Sequence, residues 1–240
     1  MYIADDNFMI YYLSEQAITI EFGQEIGKAI LKQVRQLDNL LHQKPFPGFR
    51  ATVPAYTTLS VFFDPIHVIN NLDFPGCDCF EKVSAYIRQL KNEPDEEEIS
   101  TIKTVSIPVC YGGTFGPDLE EVAKLNNLTV KEVIQLHSSA VYQVYMIGFV
   151  PGFAYLGGMP ELLSTPRKST PRKAVPVGSV GIAGKQTGIY PLETPGGWQI
   201  IGRTPFQLFD ARKSSPALLK AGDFVVFKPI TDQEYQLHDQ

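Results

Sequence analysis

Apolar residues in the first part of the chain recur at two different periods. Residues 8–13 and 17–22 are short β-prone runs separated by polar residues 14–16, a pattern that predicts a β-hairpin. From residue 26 onward the apolar positions recur every three or four residues, which predicts an amphipathic helix. The positions of this stripe are Ile26, Ile30, Val34, Leu37 and Leu41.

A second hairpin and a second helix follow. Residues 49–53 and 57–63 form another β-prone pair, after a turn rich in proline and glycine at residues 44–48. Asp78 and Glu81 then have the spacing of a capping box at the start of a helix. The order ββαββα predicts a two-layer α+β domain, with helices on one face of an antiparallel sheet.

After residue 101 the pattern changes to short strands interrupted by glycine and proline. These strands are predicted over residues 102–109, 142–147, 177–183, 198–201 and 224–228. Their regular interruption predicts a mainly β domain closed into a barrel. Two short helices are also expected, one with Asp118 as its N-cap and one capped by Thr129 and Glu132 that ends near His137.

The two patterns are separated by an acidic segment, residues 92–98, which Pro94 interrupts. Such a run is a poor strand and is typical of a solvated linker. We therefore expect an α+β domain over residues 1–95 and a barrel domain over residues 101–240, with the boundary within residues 92–100.

Composition narrows the class of function. A net charge of −5 and a pI near 5.4 argue against a nucleic-acid partner, because binding phosphates needs a broad basic face. No apolar run approaches a membrane span and the N-terminus lacks a secretory signal, so we expect a cytoplasmic protein without a membrane partner. Cys77 and Cys79 lack the spacing of a zinc site, and we expect no metal.

The strongest chemical signal is the stretch between Glu161 and Glu193, which contains no acidic side chain. Its basic residues are Arg167, Lys168, Arg172, Lys173 and Lys185. Glycine and proline around them shape loops, and cations without a nearby carboxylate on such loops indicate an anion site. A merely solvated cationic loop is the alternative interpretation. Trp198 either anchors the barrel or stacks over a flat ligand.

Two further motifs are candidates for catalysis or nucleotide binding. His137 is the one histidine near the glycine-rich region. It is a candidate catalytic residue, although a lone histidine is more often structural. Its place at a helix end would raise its pKa. Residues 178–187 lack the spacing of a phosphate loop. We therefore do not expect the chain alone to bind ATP tightly.

Several ordered motifs resemble one known family. They are residues 110–119, 148–156, 166–167, 171–172, 175–180, 195–198 and 202–205, together with His137. In these motifs the chain resembles the family of the 5-oxoprolinase B subunit, which is also called the allophanate hydrolase subunit 1 family or the Kip-type histidine kinase inhibitor family. The resemblance extends over essentially the whole chain.

The resemblance implies a cyclophilin-like barrel and a place in an ATP-dependent complex. Proteins of this family work with two partners, a cyclophilin-like C subunit and a separate A subunit, to open 5-oxoproline to L-glutamate. We expect the chain to be inactive alone, and ATP to be used by the assembled complex. The family name also covers a different function, inhibition of the autophosphorylation of a sporulation-type histidine kinase.

Within this interpretation the local charge pattern assigns the substrate contacts. Cations that bind the substrate carboxylate and developing phosphate charge would lower the barrier to opening the lactam. The expected substrate-binding residues are Arg167, Arg172, Lys185 and Arg203, with Tyr155 and Trp198 as walls.

Overall fold

The chain divides into two compact units, Met1–Thr101 and Ile102–Gln240. The computed structural model describes residues 2–4, 8–91 and 103–238. The domain boundary expected within residues 92–100 lies outside the described residues, so it stays a prediction. Among the described helices, none is both long and apolar enough to cross a membrane.

The first unit is an antiparallel sheet with helices. Its strands are β1 (Tyr2–Ala4), β2 (Met9–Ser14), β3 (Ala17–Glu21), β4 (Phe49–Pro54) and β5 (Thr58–Phe63), in the spatial order β1-β2-β3-β5-β4. Its helices are α1 (Lys28–Gln43), α2 (Pro65–Asn71) and α3 (Cys79–Lys91). Alternate strand residues such as Ile18 and Leu59 join the helical stripes, represented by Val34 and Ile87, in one buried core.

The observed layout of this unit is βββαββαα rather than ββαββα. Both predicted hairpins and both predicted helices are present, but β1 pairs with β2 as an added edge strand. Helix α2 is also added. It begins at Pro65 because the Asp64 carboxylate accepts hydrogen bonds from the Ile66 and His67 amides. Strand β1 and helix α2 are both too short for their apolar residues to show a readable period in the sequence.

The second unit is a closed barrel with peripheral elements. Its strands are β6 (Thr104–Tyr111), β7 (Val141–Ile147), β8 (Ala154–Gly157), β9 (Arg172–Val175), β10 (Ser179–Ala183), β11 (Gln186–Ile189), β12 (Thr194–Gly196), β13 (Gln199–Arg203) and β14 (Phe224–Ile230). Its helices are α4 (Leu119–Leu125), α5 (Val130–Ser139) and α6 (Asp232–His238), with a 3-10 turn at Glu161–Leu163.

Seven of these strands close the barrel in the order β10-β11-β8-β7-β14-β6-β13, which confirms the predicted closure. Strand β14 runs parallel to β6, and the other described pairs of the barrel are antiparallel. Strands β9 and β12 form a separate two-stranded sheet. The barrel core is mainly aliphatic, with Ile107, Val144, Ile182 and Val225 fully buried.

Two predicted helix starts have different outcomes. The capping box of α5 is confirmed, since Thr129 Oγ1 accepts from the Glu132 amide and the Glu132 carboxylate accepts from the Thr129 amide. Asp118 does stand at the N-cap of α4, but its side chain makes no capping hydrogen bond. This carboxylate is used elsewhere.

Candidate functional site

A cleft of about 310 Å³ lies in the second unit, where several loops meet the barrel. Its walls are mostly aromatic and it contains one cation. The lining residues are Phe149, Phe153, Tyr155, Arg167, Pro171, Tyr190, Pro195, Gly196, Gly197 and Trp198. Barrel strand β8 contributes Tyr155, and strand β12 of the short sheet contributes Pro195 and Gly196. Tyr155, Arg167 and Trp198, which the sequence predicts as site residues, are brought together here.

The aromatic walls form one interlocking cluster. The Phe153 ring, only 1% exposed, lies edge-on to Trp198 at a centroid distance of 5.5 Å and edge-on to Tyr190 at 5.2 Å. Tyr155 contacts the same Trp198 ring at 6.1 Å. Edge-to-face contacts of this kind hold rings at fixed angles. The cleft therefore has a shape that is largely formed before any ligand enters.

Two glycines allow the rings to approach the strands. A Cβ on Gly188 would lie 3.1 Å from both the Phe153 and the Trp198 ring, and a Cβ on Gly196 would lie 2.4 Å from the Tyr190 hydroxyl. A side chain at Gly196 would displace the Tyr190 ring, and one at Gly188 would press on the Phe153 and Trp198 rings. The glycine-rich composition around the site thus has a local steric cause.

Arg167 differs from the other four cations of the acid-free stretch in that it lines the cleft. It is exposed at the cleft, and among the described residues it has no ion pair and no side-chain hydrogen bond. Burial raises the pKa of Tyr155 and raises that of Tyr190 to about 12, and the nearby charge of Arg167 lowers both values by less. Because burial dominates, both phenols stay protonated at neutral pH.

The expectation that these cations lack nearby carboxylates is wrong for Lys168 and Arg172. The Asp118 side chain, 4% exposed, accepts from Lys168 Nζ at 3.0 Å and from Arg172 Nη2 at 2.7 Å through Oδ1. Its Oδ2 accepts from the Ile200 amide at 2.7 Å. Carboxylates distant in sequence pair with cations when the fold brings their loops together, and a local sequence window cannot show this.

We call Asp118, Lys168, Arg172 and the Ile200 amide the Asp118 clamp. Burial alone would raise the pKa of Asp118, but hydrogen bonds from Arg172, Ile200 and Lys168 outweigh it and hold the pKa below its usual value. Lys168 follows Arg167 on the same loop, Arg172 begins strand β9 at the end of that loop, and the Lys168 amide also donates to the Gly197 carbonyl at 2.8 Å. The clamp therefore fixes the loop on which Arg167 stands.

Lys185 and Arg203 do not line the cleft. Lys185 Nζ pairs with Glu161 Oε1 at 2.9 Å, and both side chains are more than 70% exposed, so this cation too has a carboxylate partner. Arg203 Nε donates to the Val177 carbonyl at 2.6 Å. The structure thus separates these two predicted substrate contacts from Arg167.

His137 lies inside the barrel, not in the cleft. It is fully buried, and its ring stacks on Phe227 at a centroid distance of 4.5 Å. Thr187 Oγ1 donates to the Gly181 carbonyl, so it accepts from His137 Nε2 at 3.0 Å. His137 Nδ1 then accepts from the Tyr111 hydroxyl at 2.8 Å. Every polar atom of the ring is satisfied by the protein itself.

This environment corrects the expectation for His137. Burial lowers its pKa to about 3, whereas the helix end was expected to raise it. A histidine that stays neutral, hydrogen-bonded and enclosed cannot exchange protons with a ligand in the cleft. The structure gives His137 a structural position in place of the catalytic role suggested by the sequence.

The chemistry available in the cleft is recognition. Its described lining residues include no imidazole, thiol or carboxylate that could act as nucleophile or base. They offer aromatic faces, two phenols and a guanidinium, which suits a small ring that bears an anionic group. Within the described part of the chain, no group of three or more His, Cys, Asp or Glu is placed to hold a metal ion.

Residues 178–187 form a β-hairpin, with β10 and β11 joined at Gly184 and Lys185. This agrees with the interpretation that the glycines there belong to a strand and a turn. A phosphate loop would instead need to lead into a helix.

Several residues of the site have no clear signal in the sequence. Phe153 and Phe149 lie in a glycine-rich motif that the sequence does single out, but nothing local shows that their rings face a cleft. Tyr190 has no signal, because it reaches the cleft only when β11 pairs with β8. Asp118 has the sequence position of a helix cap, and its partners Lys168, Arg172 and Ile200 lie 50, 54 and 82 residues away along the chain.

Comparisons with known proteins place this architecture among relatives. The chain matches the family model "Carboxyltransferase domain, subdomain C and D" over residues 8–219. It is 46% identical over 233 residues to the B subunit of 5-oxoprolinase from Bacillus subtilis (strain 168), covering 97% of this chain and 97% of the relative. It is 40% identical over 220 residues to the B subunit of 5-oxoprolinase from Escherichia coli O157:H7, covering 91% and 94%.

A solved structure extends the comparison to the fold. The protein TTHA0988 matches with a TM-score of 0.76 at 34% identity, over 90% of this chain and 40% of that chain. This chain therefore spans less than half the length of that protein.

Proposed function

The chain belongs to the family of the 5-oxoprolinase B subunit, and from this premise we propose that it acts in an ATP-dependent 5-oxoprolinase together with an A and a C subunit. The observation that carries the proposal is the 46% identity, which extends over 97% of both chains. The complex opens the lactam of 5-oxoproline to L-glutamate. Because it consumes ATP, we place it in the cytoplasm, and we assign the barrel to the cyclophilin-like kind.

A lactam carbonyl is a poor electrophile, so its oxygen is phosphorylated by ATP before water attacks the carbon. This transfer releases ADP. A water molecule then adds its oxygen to the carbonyl carbon, the C–N bond breaks, and the ring nitrogen leaves as the amine of a γ-glutamyl phosphate. A second water hydrolyses this acyl phosphate to L-glutamate and inorganic phosphate. Phosphoryl transfer needs charged groups around the phosphates. The described residues of the cleft supply one cation and no carboxylate. We therefore assign ATP binding to the assembled complex and not to this chain alone.

This chain contributes substrate recognition at the cleft. The carboxylate of 5-oxoproline pairs with Arg167, the one cation among the described lining residues of the cleft, and the ring lies between Tyr155 and Trp198. Protonated phenols at Tyr155 and Tyr190 can donate hydrogen bonds to the anion or to the lactam oxygen. A carboxylate and a guanidinium form charge-assisted, bidentate contacts, which orient as well as bind.

The test is reconstitution from purified components. The A and C subunits are incubated with ATP and 5-oxoproline, with and without this chain, and released glutamate is measured. We expect glutamate only in the complete mixture, and none from this chain alone. A complete mixture without turnover, or equal turnover without this chain, would contradict the proposal. The family's other activity, histidine kinase inhibition, stays a prediction that an autophosphorylation assay would check.

A further inference from the structure

The loop between β7 and β8 contains an unusual backbone conformation at Phe149. Its φ is +68°, in the left-handed region that side chains other than glycine avoid. Among the described residues one other non-glycine residue, Asn127, has positive φ, and asparagine tolerates that region. A bulky aromatic residue there is a genuine exception.

The surrounding hydrogen bonds hold this conformation in place. The Val150 amide donates to the Gly148 carbonyl at 2.8 Å, which closes a three-residue turn around Phe149. The Gly148 amide donates to the Phe153 carbonyl at 3.0 Å and closes the whole loop. Gly152 has φ +81° and packs so tightly that a Cβ would lie 2.7 Å from Phe209 Cβ. The loop is thus fixed at both ends.

The sequence uses glycine at Gly152 to meet a positive φ, yet it places phenylalanine at position 149 of the same loop. The Phe149 ring contributes little to the stability of the folded state, because the residue is 62% exposed and the ring contacts Phe153 at a centroid distance of 5.7 Å. A residue that is strained and mostly exposed is explained better by a ligand than by the core. The position lines the cleft that contains Arg167.

We propose that Phe149 is a specificity-determining residue of the cleft, held in a strained turn so that its ring covers the substrate ring bound beside Arg167. The inference rests on the proposed function, because the ligand is 5-oxoproline. Phe149 forms a wall at the open side of the cleft, where it faces a bound ring that Trp198 contacts from the interior. Arg167 recognises the anion, and Phe149 recognises the ring.

The test separates strain from binding through variants at one position. Phe149→Gly and Phe149→Ala both remove the ring, but only glycine relieves the backbone, so we expect the glycine variant to melt about 3 °C above the alanine variant. Both variants should raise the KM of the reconstituted enzyme for 5-oxoproline roughly fivefold to tenfold. Phe149→Tyr, which retains the ring, should restore the wild-type KM.

Leu162→Ala provides the matched control, since Leu162 is 63% exposed and does not line the cleft. A wild-type KM in Phe149→Ala overturns the inference and leaves the proposed function standing. If that variant instead fails to co-purify with the C subunit, Phe149 belongs to a protein interface and the inference is also wrong. If neither the wild-type mixture nor any variant turns over, the proposed function is wrong. The role of Phe149 is then decided by titrating the wild-type chain and Phe149→Ala with 5-oxoproline and following binding by NMR. Equal binding by the two proteins overturns the inference.

Discussion

His137 and Arg167 both lie near aromatic rings in the second unit, yet their surroundings are opposite. His137 is enclosed by the barrel, and its two ring nitrogens are hydrogen-bonded to Tyr111 and Thr187. Arg167 stands at an open cleft without an ion pair among the described residues. The protein itself satisfies the hydrogen bonds of the His137 ring, whereas the Arg167 guanidinium remains available to a ligand.

The same contrast divides the basic residues of the acid-free stretch. Lys168 and Arg172 are held by the buried Asp118, and Lys185 pairs with Glu161 at the surface. Their charges are already compensated, and replacing them tests structure more than recognition. Lys173 is exposed and also has no ion pair among the described residues, but it does not line the cleft. An unpaired charge together with a place in the cleft therefore distinguishes Arg167 as the candidate binding residue.

The largest expected effect comes from breaking the Asp118 clamp. Asp118→Ala leaves Lys168, Arg172 and the Ile200 amide without their buried acceptor, and we expect the free energy of unfolding to fall by roughly 3 kcal/mol. Urea denaturation measures this change. The control is Glu121→Ala, which removes the exposed partner of Lys168 and should cost less than about 1 kcal/mol. Equal losses in the two variants would show that the clamp is not a structural centre.

The pH dependence of stability should report the enclosed histidine. Burial lowers the pKa of His137 to about 3 in the folded chain, while the unfolded chain has the ordinary value near 6.5. Between these values the unfolded state binds the proton and the folded state does not. The contribution of His137 is thus complete above pH 6.5 and is lost as the pH falls, by about 1.4 kcal/mol per pH unit.

Denaturant unfolding at pH 7, 6 and 5 measures this slope. His137→Gln should flatten it. The description of the barrel interior would be wrong if wild-type stability were constant from pH 7 to pH 5.

The smallest effect is expected at the surface pair of Lys185 and Glu161. Both side chains are solvated, so Lys185→Ala should change neither the melting temperature nor the KM of the reconstituted enzyme. Thermal melting and glutamate release measure the two quantities. A rise in KM at this position would return Lys185 to the binding site and weaken the contrast with Arg167.

The sequence predicts elements well where a period is long enough to be read. Most of the stripe from Ile26 to Leu41 lies on α1, and the capping pair of Thr129 and Glu132 starts α5. Strands of four residues or fewer, such as β8, escape prediction because so short a segment has no readable alternation. The closure of the barrel was predictable from the repeated interruptions, but its strand order was not, since it depends on long-range pairing.

The candidate site could be predicted only in part. Tyr155, Arg167 and Trp198 stand out from local composition and do share the cleft. The pairing of Arg172 with Asp118 could not be read locally, because charges far apart in sequence meet only in the fold. The conformation of Phe149 left no trace either, since backbone strain is a property of the folded loop.

Binding of the substrate carboxylate by Arg167 is the central claim, and a cycle of two ligands and two proteins tests it most directly. Equilibrium binding of 5-oxoproline and of 2-pyrrolidinone, which lacks the carboxylate, is measured on the assembled complex with wild-type chain and with Arg167→Ala. We predict that the wild type binds 5-oxoproline about tenfold to a hundredfold more tightly than 2-pyrrolidinone, and that Arg167→Ala abolishes this preference without changing binding of 2-pyrrolidinone. An undiminished preference in Arg167→Ala would contradict the claim and place the carboxylate site elsewhere.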